Sequence, residues 1–470
     1  MLFNSIEFLI FALSFFLLWP VFRKNNTSRW AFLTITSLFF YGWWDWRFLF
    51  LILFSGLIDF ISGILLVNKP SRKRIILAVS IIANLGSLSI FKYSVFFANI
   101  VQDTFLLFGI AIDLVSKIPQ FALILPVGIS FYTFQSLSYT IDIYRGRLKP
   151  TKNILHFFSY LAMFPQLVAG PIVRANDFLQ QLKNANIPNA LQKWNAIKMI
   201  CFGLFQKVVI ADNLSLFIDS AYEDKTSFNG TIYWWVVSIA FSFQIYADFS
   251  GYSLIARGLA KYMGFHFKMN FNHPYLSISL RQFWTRWHIS LSTWFRDYVY
   301  IPIGGSYKGI FRAVLALTIT LLLSGLWHGA NYTFMIWAGI HLIFLLIEKA
   351  TKWNKRLSLP PLFFITIIFL QVTIAWVYFR AQNIDQANKI VTLLFSFEPS
   401  NLDFFNFYLN NILFLILAII IECWVYLKRT KRSIIKIYNK YNLDIIAVSI
   451  SVLLILFFRG EGQQFIYFQF

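Results

Sequence analysis

Charge and cysteine are both scarce in this chain. Charged residues make up 13% of its 470 positions, about half the share of a soluble domain. With 58% hydrophobic residues and a mean hydropathy of +0.63, that deficit excludes a soluble globular enzyme and a disordered chain alike. The two cysteines, Cys201 and Cys423, lie in apolar stretches. They cannot supply a disulfide framework, and they read as buried small hydrophobes. The sequence has no HExxH and no paired Cys/His spacing, so no metal site is expected. It also lacks a P-loop, a GxGxxG and a Gly-x-Ser-x-Gly elbow. A nucleotide-driven pump is thereby disfavoured, and any chemistry must run on a preactivated substrate such as a thioester. Acidic residues are few: 20 against 41 Lys and Arg, a net charge of +21. The basic residues sit in short loops between apolar runs, so the charge reads as membrane topology in preference to nucleic-acid binding.

What fills the chain is apolar sequence in runs. With spans of about 20 residues, roughly ten to thirteen are possible, which makes an all-α polytopic membrane protein. The first run lacks a basic n-region and reads as a retained span. It starts outside and ends at Arg23, Lys24 and Arg29 inside. An apolar hairpin over 32–41 and 48–67 returns to Lys69, Arg72, Lys73 and Arg74. Residues 75–97 go out and 121–143 come back to Arg145, Arg147, Lys149 and Lys152, so parity holds through three basic clusters. Residues 156–172 carry Pro165, Gly170 and Pro171, which fits a re-entrant segment buried in protein or an interhelical turn. A long helix is expected over 234–262. Residues 271–308 are too polar to span and lie at the interface or fold into the protein. Further spans are expected at 312–327, 337–347, 360–379, 406–427 and 443–458, with 348–356 a charged loop. The basic residues of 428–440 precede the last span and put the C-terminus outside. No fixed-period repeat or linker divides the chain. One membrane domain, 1–470, is expected: N-terminal helices 1–152, a core 153–348 with re-entrant segments, and C-terminal helices 349–470 ending in an outward-facing FIYFQF tail.

Chemistry has few places to reside. In SGLWHGAN, His328 follows an uninterrupted apolar run, with Gly325 and Gly329 beside it. Ionisable groups at membrane depth usually face the protein interior or a cavity, and a neutral imidazole can take a hydroxyl proton. A His that only bonds across helices is the alternative. In FWTRWHISLSTWFRDYVY, His288 has Arg286, Arg296 and Asp297 nearby. On a helix Trp284, His288 and Ser292 would share a face. This is either a second site histidine with cations for an anionic donor or an amphipathic interfacial helix with snorkelling arginines. His341 lies thirteen residues past His328, off its helical face, and reads as a packing residue. His156, His266 and His273 carry no pattern. Asp248 could orient a His or an Arg, or cap a helix broken near Gly251. Tyr467, the one hydroxyl of the tail, is an outer aromatic-belt anchor, a phenol nucleophile or part of a docking strand.

NFNHPYLS, FWTRWHISLSTWFRDYVYIPIGG and SGLWHGANYTFMIWAGIH resemble the membrane-bound O-acyltransferase (MBOAT) family. The likeness is greatest to its bacterial polysaccharide branch, the AlgI, PatB and DltB types of alginate, peptidoglycan and teichoic-acid modification. LFNSIEFLIF, ILPVGISFYTFQSLSYTIDIYRG, FPQLVAGPIVR and the FIYFQF ending resemble the same branch, so the likeness runs over essentially the whole chain. It implies a ring of tilted helices around a central funnel, with re-entrant and interfacial helices. It implies His328 as the catalytic residue and His288 as a second histidine near the cytosolic mouth, acting on the thioester end of the donor. Arg286, Arg296, Asp297, Trp327 and Asp248 become candidates for substrate binding. No bound cofactor is implied. Acetyl-CoA or another acyl thioester is the donor substrate, and Tyr467 is a candidate acyl relay. The implied partners are an extracytoplasmic SGNH-hydrolase-like acetyltransferase, an envelope polysaccharide and membrane lipid. The implied location is the bacterial inner membrane. Two departures stand out: Leu254 occupies a position where the branch often has an acid, and Leu342 one where many relatives have Gly. A chain rich in Lys, Asn, Ile and Phe hints at an AT-rich genome, which favours peptidoglycan or another envelope glycan over alginate. The competing class is a polysaccharide or acyl conduit with no catalysis of its own.

Overall fold

The computed structural model describes residues 1–167, 170–430, 442–459, 462–463 and 465–466. These residues are helical, with no strand among them. Among the described residues seven helices are long and apolar enough to cross a membrane: Trp46–Asn68, Pro70–Leu107, Ala190–Tyr222, Ile310–His328, Tyr332–Thr351, Pro361–Arg380 and Leu409–Thr430. Ile6–Phe22 and Leu443–Phe457 are shorter apolar helices. The chain is therefore an all-α multi-pass membrane protein, because only helices satisfy their own backbone polar groups in lipid.

The chain packs as two compact units. One is Met1–Lys193 with Leu259–Lys268, and the other is Trp194–Gly258 with Met269–Phe470. In the first, helices Leu49–Asn68, Lys73–Leu88 and Ile129–Tyr144 meet around Asp59, which is fully buried. Its carboxylate accepts from Ser80 Oγ at 2.5 Å, from Asn84 Nδ2 at 2.9 Å and from Ser136 Oγ. A carboxylate inside an apolar bundle is tolerated only with its oxygens satisfied, so it acts as interhelical glue. His156 is a satisfied core histidine: Thr151 Oγ1 and Leu179 O each lie 2.9 Å from its ring nitrogens, and Trp30 stacks on it at 4.4 Å. Arg29 is buried and donates to Leu182 O at 2.9 Å and Lys183 O at 2.6 Å. It thus neutralises the C-terminal end of helix Ala175–Lys183 and is not a free loop charge.

Several expectations need correction. Residues 121–143 are not one span: a short 3₁₀ turn, Gln120–Leu123, precedes helix Ile129–Tyr144, because Pro126 and Gly128 interrupt the run. Residues 75–97 belong to a longer helix that continues to Leu107 through a π turn at Ser89–Tyr93. Residues 348–356 are not a loop, since helix Tyr332–Thr351 runs through Glu348. That carboxylate accepts from Leu280 N at 2.6 Å, at the start of helix Leu280–Arg286, where exposed N–H groups attract an anion. Cys201 is half-buried and Cys423 is exposed, so neither is a buried core thiol; apolar sequence in a membrane helix also faces lipid. The proline-broken segment does fold into protein: helices Ile154–Leu161 and Phe164–Leu167 are short, and residues 156–167 and 170–173 are buried.

Asp59→Ala leaves three polar side chains facing a void. A loss of about 1–2 kcal/mol is expected, read as a lower midpoint of thermal unfolding in detergent, with Asp59→Asn closer to the native value.

Candidate active site

The second unit brings the two implicated histidines together around one indole. Helix Ile310–His328 ends on His328, and helix Tyr332–Thr351 starts after Asn331, whose Oδ1 accepts from Thr333 N at 3.1 Å. The turn between them is tight because Gly325 and Gly329 lack side chains. A Cβ on Gly325 would lie 2.6 Å from Phe334 O, and one on Gly329 would lie 2.0 Å from the Phe334 ring. His328 is 3% exposed. Its ring meets Trp327 and Trp337 at 5.1 Å each and Phe379 at 5.2 Å, all edge to face. Trp327 in turn meets the ring of His288 at 5.9 Å. The helical break at 329–331 makes the offset between His328 and His341 irrelevant, since the two lie on different helices. They share Trp337 as a neighbour, at 5.1 Å and 5.0 Å. His341 is buried and packs on Trp284 at 5.0 Å, as a packing histidine does.

His288 does not sit within a helix, so the expected face of Trp284, His288 and Ser292 does not form. Helix Leu280–Arg286 ends before it and helix Ile289–Phe295 begins after it, with His288 in the left-handed region at φ 40°. That conformation is costly for a side chain with a Cβ and persists only where its surroundings enforce it. Asn270 enforces it. Its Oδ1 accepts from His288 Nδ1 at 3.2 Å, from Ser290 N at 3.1 Å and from Ser290 Oγ at 2.9 Å, while its backbone O accepts from Ile289 N at 2.9 Å. With Nδ1 as donor, the lone pair of the neutral ring falls on Nε2. His288 is fully buried, and desolvation pushes its imidazole down to about 3, which keeps it neutral at physiological pH. Phe249 packs on the same ring at 4.6 Å.

The other candidates spread out. Arg286 donates to Leu276 O at 3.0 Å and His273 O at 3.4 Å, bracing the turn Pro274–Leu276. Arg296 pairs with its neighbour Asp297 at 2.7 Å, with the arginine side chain exposed. Asp248 neither caps a break nor orients a His or Arg. Helix Thr231–Met263 runs unbroken past Gly251, which instead touches Gly203: a Cβ there would lie 2.7 Å from Gly203 O. That close approach sets Asp248 against Lys207 at 2.9 Å, and Lys207 also pairs with Asp212 at 2.7 Å. Both partners sit on the stretch 190–222, which the sequence reading passed over; a Lys and an Asp five residues apart inside an apolar run were the available signal. Asp248 Oδ2 also accepts from Ile466 N at 2.8 Å. Phe465 and Ile466 are buried, with Phe465 packing on Tyr252 at 4.7 Å and Phe249 at 5.5 Å. Tail residues 465–466 thus enter protein, not a lipid-facing aromatic belt. Tyr467 lies outside the described residues. His273 had no sequence pattern, yet it is buried and its Nδ1 donates to Glu422 Oε1 at 2.8 Å. Among the described residues no group of three or more His, Cys, Asp or Glu could hold a metal ion.

Comparison with known proteins adds the chemistry. The family model for membrane-bound O-acyltransferases matches residues 145–385. A probable alginate O-acetylase of Pseudomonas putida is 38% identical, over 84% of this chain and 81% of its own length. A peptidoglycan O-acetyltransferase of Helicobacter pylori is 33% identical, over 83% and 79%. A teichoic acid D-alanyltransferase of Streptococcus thermophilus is 29% identical, over 50% and 61%.

Asn270→Ala releases His288 from its tautomer and its turn. Acyl transfer is expected to fall about 100-fold, the cost of misplacing a reacting group by an ångström, with membrane levels held equal by immunoblot. Asn270→Asp, which keeps an acceptor for Nδ1, is expected to retain more activity.

Proposed function

This chain belongs to the membrane-bound O-acyltransferase family, and on that premise we propose that it carries an acyl group, an acetyl group first, from a cytosolic thioester to a cell-envelope polysaccharide. The single observation behind the residue assignment is the buried pair His288 and His328, both of whose rings meet Trp327. Two buried imidazoles in a dry aromatic setting suit proton transfer to and from hydroxyl and thiol. His328 removes the proton from the attacking hydroxyl as its oxygen bonds to the thioester carbonyl carbon. The C–S bond then breaks and the thiolate takes the proton back from the imidazolium. His288, held by Asn270, accepts at the thioester end through Nε2. Trp327 walls the reacting atoms.

The tail supports a relay. Phe465 seats on Phe249, whose ring also meets His288, and Asp248 holds the backbone of Ile466. The next residue, Tyr467, then receives the acyl group as a phenol ester and passes it to an extracytoplasmic SGNH-hydrolase-like partner, which esterifies the glycan. The protein lies in the bacterial inner membrane with both termini outside, and coenzyme A is released in the cytosol. Relatives named for alginate and for peptidoglycan support a polysaccharide acceptor, and we take peptidoglycan first. Arg286 braces the turn Pro274–Leu276 and Arg296 pairs with Asp297, so these side chains bond within the segment around His288 itself.

O-acetyl ester on purified wall polysaccharide is expected to fall to background in cells carrying His328→Ala or His288→Ala at matched membrane levels. Full ester with His328→Ala would mean a conduit or a scaffold.

A further inference from the structure

The second unit buries an ion-pair cluster in which one cation faces two carboxylates. Lys207 Nζ lies 2.7 Å from Asp212 Oδ1 and 2.9 Å from Asp248 Oδ1, and all three side chains are buried. Lys207 and Asp212 share helix Ala190–Tyr222. In a regular α-helix their spacing would turn the two side chains roughly 140° from one another. Here the helix passes through a π turn, Gln206–Ala211, in which Asp212 N donates to Lys207 O, and the wider turn brings the pair together. Such turns recur at functional sites. Asp248 comes from helix Thr231–Met263, which the close approach of Gly203 and Gly251 brings alongside. The cluster keeps an excess negative charge in a low-dielectric interior, so its carboxylates need further donors. Asp248 finds one in the tail, where its Oδ2 accepts from Ile466 N at 2.8 Å.

Lys207 reaches the tail by a second route. Its ammonium stands over the Tyr252 ring at 5.6 Å, and Tyr252 packs on Phe465 at 4.7 Å. Asp248 and Tyr252, at helical i and i+4 positions, share a face, so one ammonium steadies both side chains that hold residues 465 and 466. Phe465 also meets Phe249, and Phe249 meets the ring of His288. The cluster thus sets the register of residues 465–466 beside the aromatic wall of the histidine site. We infer that Lys207 and Asp248 are positioning residues for acyl transfer: Lys207 holds the Asp248 carboxylate against Ile466 N, and the latched backbone limits where the next residue, Tyr467, can reach. The effect on turnover rests on the relay reading above, whereas the latch itself rests on these contacts.

The test reads hydrogen exchange of the C-terminal peptide from Gln463 onward, by mass spectrometry on the full-length purified protein in detergent. Asp248→Asn keeps the Lys207–Asp212 pair but offers a single acceptor oxygen, for which Lys207 and Ile466 N compete. Exchange of the tail peptide is expected to rise at least tenfold, with helix Leu49–Asn68 of the other unit unchanged. Lys207→Met joined to Asp212→Asn removes the cation and one carboxylate together, so the net charge of the cluster stays the same. It is expected to loosen the tail as well, because a buried carboxyl without a cation neutralises and accepts more weakly. In turnover assays both variants are expected to lower kcat at least tenfold and leave the donor KM unchanged, and Lys207→Arg, which keeps the cation, is expected to retain more of kcat. Tail exchange at the native rate in Asp248→Asn overturns the inference, as does a rise matched in helix Leu49–Asn68. A loosened tail with native kcat overturns the positioning role. Tyr467→Phe separates the two readings. Wall ester lost in Tyr467→Phe but full in Asp248→Asn contradicts this inference alone, whereas full wall ester in Tyr467→Phe contradicts the relay and the role in turnover built on it.

Discussion

One carboxamide carries much of the structure around the histidines. Asn270 Oδ1 collects the His288 ring, the Ser290 amide and the Ser290 hydroxyl, and its main chain holds Ile289. These bonds hold His288 in a left-handed turn between two short helices. The strain is local, the constraint is polar, and the surroundings are dry, which is how a reacting group is fixed without a rigid helix beneath it. The same side chain borders a cavity lined by Ser253, Arg257 and His273.

The bilayer sets the wider logic. Each polar group taken into a low-dielectric interior must find a partner or a use. Asp59 is satisfied by Ser80, Asn84 and Ser136 and serves as glue. Lys207 lies between Asp212 and Asp248, and Asp248 reaches the tail through Ile466. Glu422 turns His273 so that Nε2 is left over. The first cluster is structural, the second anchors a segment, and the third leaves His273 Nε2 without a hydrogen-bond partner among the described residues.

Much of this was legible in the sequence. Apolar runs of span length and basic loops gave the all-α membrane architecture, because both follow from the cost of charge in lipid. SGLWHGAN marked His328 as a candidate, since an ionisable residue after an apolar run with glycines beside it tends to face protein, and the structure buries it. The break at His288 was not legible: Trp284, His288 and Ser292 keep helical spacing, and only Asn270, far back in the chain, explains why the helix stops. Lys207 and His273 were missed for the same reason. Their meaning depends on Asp248 and Glu422, partners brought by other helices, and one-dimensional periodicity carries no trace of that. The alternative of a helix broken near Gly251 arose because a glycine that admits a neighbouring helix and one that ends a helix look alike in sequence, whereas the long helix expected over 234–262 forms.

The central claim is that thioester cleavage takes place at the buried histidine pair. Thiol release from acetyl-CoA by the purified protein, supplied with its extracytoplasmic partner and a glycan acceptor, tests it most directly. The account predicts release that depends on acceptor and falls at least 100-fold in His328→Ala, with coenzyme A binding retained. Release at the native rate in that variant would contradict it.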